Sequence, residues 1–361
     1  MAYEIDFIGI KGSADDADAI AMRWKKANDD GYIVGVIDGG FTSHGEALVE
    51  HLNNYYFKDT DRKIIDFVIC THADQDHASG LIEIINNFEV NALYMNIPWN
   101  YIDELLKHKK YWNTSENSLR KKLKTTYSFV DALEQAAIEK GVEVYEAFAG
   151  TEIEGKLTVL SPEKAFFIES IINDKKVTFL EMAKMVSEAI SEPETIAAEW
   201  DEDHLDIGKG TTPVNEASVV IFGDIGEGIL LTGDSGVDGL NKANEYANTK
   251  GINLVDSVKV YKIPHHGSRH NLDTETMNNI VGPIVKRGSK TGKYAFVMCG
   301  ETSDHPKKVI VNAFIRRGVD VFVANGTTVT HRMGNMPDRA GWTYDLEPEV
   351  FNDKIEKSKG D

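Results

Sequence analysis

The chain has 361 residues, 42% of them hydrophobic, enough for the core of one large α/β domain and too many for wholesale disorder. A formal net charge of −19 argues against a protein that coats nucleic acid with its whole surface, because such proteins neutralise phosphates with Lys and Arg. No stretch approaches the roughly 20 apolar residues of a membrane-spanning helix, and the acidic start Met1-Ala2-Tyr3-Glu4-Ile5-Asp6 is unlike a secretory signal. We therefore expect a cytoplasmic protein with no membrane association.

In chain order, Tyr3–Ile10 and Ala17–Trp24 read as strands, and Tyr32–Ile37 as a buried strand ending in the turn Asp38-Gly39-Gly40. Gly45–Leu52 has helical spacing, and Ile64–Thr71 is a further buried strand. A short amphipathic helix follows Gly80, then a strand over Val90–Met95. This βα alternation predicts sheets with helices on their outer faces. Two helical insertions are expected, over about residues 100–140 and 163–205. The first holds the one basic cluster, Lys107, Lys109, Lys110, Arg120, Lys121, Lys122 and Lys124. In the second, Phe179, Met182, Met185 and Val186 read as a core-packing stripe. Val142–Tyr145 and Leu157–Leu160 are strands between them.

The strand pattern then resumes. Ala217–Phe222 and Gly228–Thr232 predict a hairpin across Gly223–Glu227, and Val258–Ile263, Tyr294–Cys299 and Val319–Ala324 follow. Cys70 and Cys299 sit in apolar strands and read as small core residues rather than a disulfide. A single domain over residues 1–350 is expected, with 351–361 a charged, frayed tail.

Chemistry concentrates at three strand ends. Thr71-His72-Ala73-Asp74-Gln75-Asp76-His77 places four candidate metal ligands, His72, Asp74, Asp76 and His77, within six residues. Carboxylates crowded this closely repel one another unless a cation or water compensates them. Asp234 follows a second strand and His265-His266-Gly267-Ser268 a third; in α/β sheets such ends converge. Imidazole and carboxylate together suit divalent cations. Singly, each has a blander reading: a solvated acidic turn, a helix cap at Asp234, a surface histidine pair.

These motifs, with Asp6-Phe7-Ile8-Gly9-Ile10, Asp18-Ala19-Ile20, Ile37-Asp38-Gly39-Gly40, Asn215-Glu216-Ala217-Ser218, His305-Pro306 and Gly326-Thr327, resemble the metallo-β-lactamase-fold superfamily, and within it the hydrolase domain of the ComEC competence proteins. The resemblance implies an αββα sandwich with two divalent cations, Zn2+ or Mn2+, at one edge. It assigns His72 and Asp74 to one cation, Asp76, His77 and His266 to the other, and Asp234 to a bridge. Asp76 would also orient the nucleophile, while His265 and His305 would meet developing negative charge; which of His265 and His266 ligates stays open. Asp74 stands where the commonest pattern has histidine, which hardens the site and favours manganese as a rival to zinc. The family's additional histidine has no counterpart other than His108 or His204, and the Asn215 region or a water is expected in its place.

The resemblance implies a metal-dependent hydrolase acting on phosphodiesters of nucleic acid or nucleotides. Asn215, Ser218, Lys121 and Lys122 are candidate substrate contacts, although the lysine cluster also reads as a solvated helix face. Two other readings remain: a hydrolase of small phosphoesters or lactones, which suits the acidic charge, and a partner-gated subunit docking protein partners through its helical insertions.

Overall fold

The computed structural model describes residues 1–27, 31–58, 60, 62–177, 195–205, 210–343 and 346–357. Fourteen strands build two sheets. In chain order they are β1 Tyr3–Phe7, β2 Ala19–Lys25, β3 Tyr32–Gly39, β4 Phe67–Ile69, β5 Ala92–Tyr94, β6 Glu143–Tyr145, β7 Glu152–Ile153, β8 Leu157–Ser161, β9 Val220–Ile225, β10 Glu227–Leu231, β11 Val258–Lys262, β12 Lys293–Cys299, β13 Val319–Asn325 and β14 Val329–Met333. The first sheet runs β14-β1-β2-β3-β4-β5-β6 and the second β13-β12-β11-β10-β9-β8-β7.

Period-two alternation explains the layering. In β2, Ala19 and Ala21 face an outer helical layer, while Ile20, Met22 and Trp24 face the space between the sheets. In β12, Phe296 and Met298 point to that same space and Ala295 and Val297 to the opposite outer layer. Phe7 and Phe296 stack across the middle with ring centroids 4.6 Å apart. Each aromatic ring so buried contributes on the order of 1.5–3 kcal/mol through its lost water contact. The result is the expected αββα sandwich, with α1 Thr42–His51, α2 Gln75–Ala78 and α3 Leu81–Asn87 outside the first sheet.

The first insertion continues that outer layer instead of forming a separate lobe. Leu119 and Leu123 of α4 (Glu116–Thr126) and Val130, Leu133 and Ala137 of α5 (Ser128–Lys140) join the core of α1 and α3. The second begins as expected with α6, Lys164–Asn173, but Thr195–Ala197 is a strand. The apolar stripe from Phe179 to Val186 lies outside the described residues. α7 Val237–Thr249, α8 Thr274–Ile280 and α9 Lys308–Arg316 cover the second sheet.

Two expectations change. The tail is not wholly frayed: Lys354–Glu356 pairs antiparallel with Thr195–Ala197, with Ile355 fully buried in the core of the second sheet. The hairpin turns tightly at Gly226, in left-handed conformation at φ +65°, because β9 extends to Ile225 and β10 starts at Glu227. Among the described residues no helix is long and apolar enough to cross a membrane.

Strands β3, β4, β5 and β6 are mutually parallel, as are β10, β11, β12 and β13. Their C-terminal ends meet at one edge of the sandwich, where the Val219 N–H donates to the Thr71 carbonyl at 2.9 Å and ties the sheets together.

Candidate metal centre

The three motifs meet at that edge. Asp74 precedes the one-turn α2, its backbone carbonyl accepting from the Ala78 N–H at 3.0 Å and its side chain making no cap, so that Asp76 and His77 turn back over the strand ends. Gly80 lets α2 and α3 pass β3 closely: a Cβ there would lie 1.9 Å from the Gly39 carbonyl oxygen. Gly233, at φ +50°, aims Asp234 inward. His265 and His266 are both left-handed, at φ +47° and +53°, a strained arrangement for non-glycine residues that costs on the order of 1–3 kcal/mol each.

Asp76, His77, Asp234 and His266 each bring one ligand atom within 4.8 Å of the others. His77 Nε2 lies 3.3 Å from Asp234 Oδ1 and 3.8 Å from Asp76 Oδ2, and His266 Nε2 lies 3.4 Å from Asp76 Oδ2. On the other side, His72 Nε2 stands 3.9 Å from Asp234 Oδ2 and 4.0 Å from Asp74 Oδ2. His265 Nε2 lies 3.6 Å from the same Asp234 Oδ2. It thus faces the oxygen that His72 faces, with its side chain partly exposed.

The surroundings fix all four rings alike. His77 Nδ1 donates to Asp38 Oδ2 at 2.8 Å, and His266 Nδ1 to the Met298 carbonyl at 3.0 Å. Thr71 Oγ1 donates to Asp38 and so accepts from His72 Nδ1 at 3.1 Å. Asn271 Nδ2 donates to the Asp234 and Ser235 carbonyls, which leaves Oδ1 to accept from His265 Nδ1 at 3.0 Å. Each neutral imidazole then carries its lone pair on Nε2, turned to the cluster. That is the arrangement by which outer hydrogen bonds orient metal-ligating histidines.

Nε2 of His72, His77 and His266 and Oδ1 of Asp234 are buried without a hydrogen-bond partner. Buried polar atoms seldom go unsatisfied. Divalent cations bound among these atoms would satisfy them, and the mixed imidazole and carboxylate set fits such ions. The electrostatics agree. Burial alone pushes the His266 imidazole down, but Asp18, Asp76 and Asp234 hold it up at about 10. Burial likewise opposes charge on His77, and Asp234 and Asp38 override it. The cluster carries surplus negative charge.

The remaining candidates separate. His305 flanks the centre: Pro306 packs against Gly267, and the Lys307 N–H donates to the Gly267 carbonyl at 3.0 Å. Its Nδ1 meets Asp16 Oδ2 at 2.8 Å. Burial raises the Asp16 carboxyl, but hydrogen bonds from His305, the Gly300 N–H and Ser303 bring it down to about 2. Ser218 is fully buried, its Oγ accepting from the Asp234 N–H at 3.3 Å, so it supports Asp234 instead of facing substrate. Asn215 is also buried and bonded to Thr212, correcting its expected exposure to substrate. His204 lies beside Glu202, outside the cluster. Lys121 and Lys122 sit on α4, the former exposed. Lys110 and Lys124 are engaged internally, with the Ile172 and Asp174 carbonyls and with Asp131 and Glu134, so the basic cluster is thinner than its sequence suggests.

Several contributors were not expected. Asp18 and Asp38 lie within the matched segments, where spacing alone shows no role for them, and no motif marks Asp16, Asn271 or Lys262. Lys262 is fully buried at the end of its strand, whereas Lys259 in the same strand is not. Lys176 of the second insertion reaches Asp74 Oδ1 at 3.3 Å from the mouth of the centre.

An αββα sandwich with this His/Asp cluster at the edge where its strands end defines a metal-dependent hydrolase. The chain belongs to the metallo-beta-lactamase superfamily, whose sequence signature matches residues 26–268. No curated protein matches the sequence. Similar solved structures include unliganded PDE1 from yeast, at 14% identity and TM-score 0.42, covering 91% of this chain and 99% of that one. A metallo-beta-lactamase from Hirschia baltica matches at 14% identity and TM-score 0.31, covering 73% and 85%. The dizinc quorum-quenching lactonase AidC matches at 12% identity and TM-score 0.29, covering 66% and 69%.

Proposed function

We propose that the protein is a dinuclear phosphodiesterase, with a nucleotide or nucleic acid as substrate. The carrying observation is the division of one buried carboxylate: Asp234 Oδ2 faces His72 and His265, and Oδ1 faces His77. On this reading His72, Asp74 and His265 would hold one cation, Asp76, His77 and His266 the other, with Asp234 shared between them. The two neighbouring histidines would then both ligate. Bound there, a cation pair would supply Lewis acidity and acidify water near neutral pH.

The protein's own groups do the rest. Asp76, partly exposed, orients the attacking water. His305, its ring held through Nδ1 by Asp16 beside the centre, is placed to assist the leaving oxygen. Lys176, exposed at the mouth, attracts an anionic substrate. The hard ligand Asp74 suits cations that bind phosphate oxygens, and the segment resembling ComEC hydrolase domains, His265-His266-Gly267-Ser268, supports the same chemistry.

The internal pairing of Lys110 and Lys124 favours a second reading within this class, a small phosphoester in place of a polymer. Hydrolysis of bis-p-nitrophenyl phosphate, a single-stranded oligonucleotide and an acyl lactone, each with added Mn2+ or Zn2+, tests both. Cleavage of the diesters with little lactone turnover is expected. Lactone turnover alone refutes the proposal, and cleavage of the small diester alone selects the second reading.

A further inference from the structure

Lys262 is fully buried, yet neither the cation pair nor the substrate calls for it. It ends β11, and its side chain points the same way as that of Val260, into the space between the sheets and beneath the cluster. Its ammonium forms an ion pair with Asp18 Oδ2, donates to the Gly233 carbonyl at 2.8 Å and lies 3.6 Å from Asp234 Oδ1. Asp18 in turn faces His266 Nδ1 at 3.4 Å and His77 Nδ1 at 3.9 Å. The lysine thus touches the backbone that aims Asp234 and the carboxylate behind two of the histidines.

The charges at the centre can be counted. Asp18, Asp38, Asp74, Asp76 and Asp234 contribute five negative charges. The imidazoles are neutral when they ligate. Asp16 is neighboured by His305, and Lys176, though it reaches Asp74 at 3.3 Å, is exposed enough at the mouth for solvent to screen it. Two dications supply four positive charges, one short of neutrality, and Lys262 supplies the fifth.

We propose that Lys262 is the third, covalently attached cation of this centre: a positioning residue that compensates Asp18, anchors the Gly233–Asp234 turn and closes the charge count at two dications. The inference rests on the dinuclear reading above. A group with this role sets how strongly the centre acidifies water, because an uncompensated negative charge nearby opposes formation of another.

The test compares wild type with Lys262→Met, Lys262→Arg and the double variant Asp18→Asn/Lys262→Met, each folded as judged by its melting curve. Chelator-stripped proteins are titrated calorimetrically with Mn2+ alone, and the pH of half-maximal hydrolysis of bis-p-nitrophenyl phosphate is recorded. Wild type should bind about two Mn2+. In Lys262→Met, Mn2+ should bind no more weakly than in wild type while the half-maximal pH rises by about one unit or more. The double variant removes one charge of each sign and should return the half-maximal pH toward wild type, as should the arginine variant. If Lys262→Met does not fold, the double variant carries the test alone, with two Mn2+ and a wild-type half-maximal pH expected. An unshifted Lys262→Met, or a double variant without the wild-type half-maximal pH, overturns the role of Lys262 and leaves the dinuclear centre standing. A wild type that binds no Mn2+ overturns both.

Discussion

His265 Nε2 lies 3.6 Å from Asp234 Oδ2, the oxygen that His72 Nε2 approaches at 3.9 Å from the opposite sheet. Histidines from the ends of β4 and β11 therefore flank one carboxylate oxygen, while His77 takes the other at 3.3 Å. This division argues for two cations sharing Asp234, one on each side.

It also separates two histidines that look equivalent as candidate catalytic groups. His265→Ala should lose one of the two cations together with hydrolysis, whereas His305→Ala should keep both cations and lose about 10²–10⁴-fold in rate. Metal analysis of the two purified variants, alongside their rates, checks this. Full metal content in His265→Ala counts against its ligand role.

Asp38 touches no proposed cation, yet it holds His77 through Nδ1 and Thr71 through both its N–H and its hydroxyl. Replacing such an outer acceptor typically weakens metal binding 10–100-fold. Asp38→Asn should show about this loss by competition with a metallochromic chelator. Unchanged affinity means that the ring is held by packing alone.

Asp74 is the feature that makes the site hard. Asp74→His exchanges an oxygen ligand for imidazole, and the bound Zn:Mn ratio should rise when both ions are supplied equally. Elemental analysis after dialysis reads the ratio directly; a fall or no change contradicts the assignment.

Asp16 carries a pH-dependent part of the stability. Its folded value of about 2 lies below the ordinary carboxylate value, so its contribution is present above about pH 4 and lost as pH falls through about 2. Urea unfolding of wild type and Asp16→Asn should therefore show a gap at pH 6 that narrows by pH 3. A gap that persists unchanged assigns the loss to packing.

Much of this was legible in the sequence. The His-x-Asp-x-Asp-His spacing and the paired histidines declared their chemistry because ligands crowd at strand ends, and period-two alternation declared the sheets. What stayed hidden depends on contacts across the sandwich. Asp18 precedes β2 and meets Lys262 of β11 only once the two sheets close. Asn271 reveals its hold on His265 only through a loop conformation. The basic cluster misled in the other direction: Lys110 and Lys124 read as free solvated charges, but Lys110 reaches the Ile172 carbonyl and Lys124 pairs with Asp131 at the surface. Lys354–Glu356 looked like tail because its partner strand lies in the second insertion, more than 150 residues earlier.

The most direct test is the metal content of chelator-stripped protein reconstituted with Mn2+ or Zn2+, for wild type and Asp234→Asn together. Wild type should take up about two cations per chain, and the variant, without the shared carboxylate, should retain at most one and lose hydrolysis. Uptake of none by wild type, or undiminished uptake by the variant, contradicts a cation pair bridged by Asp234.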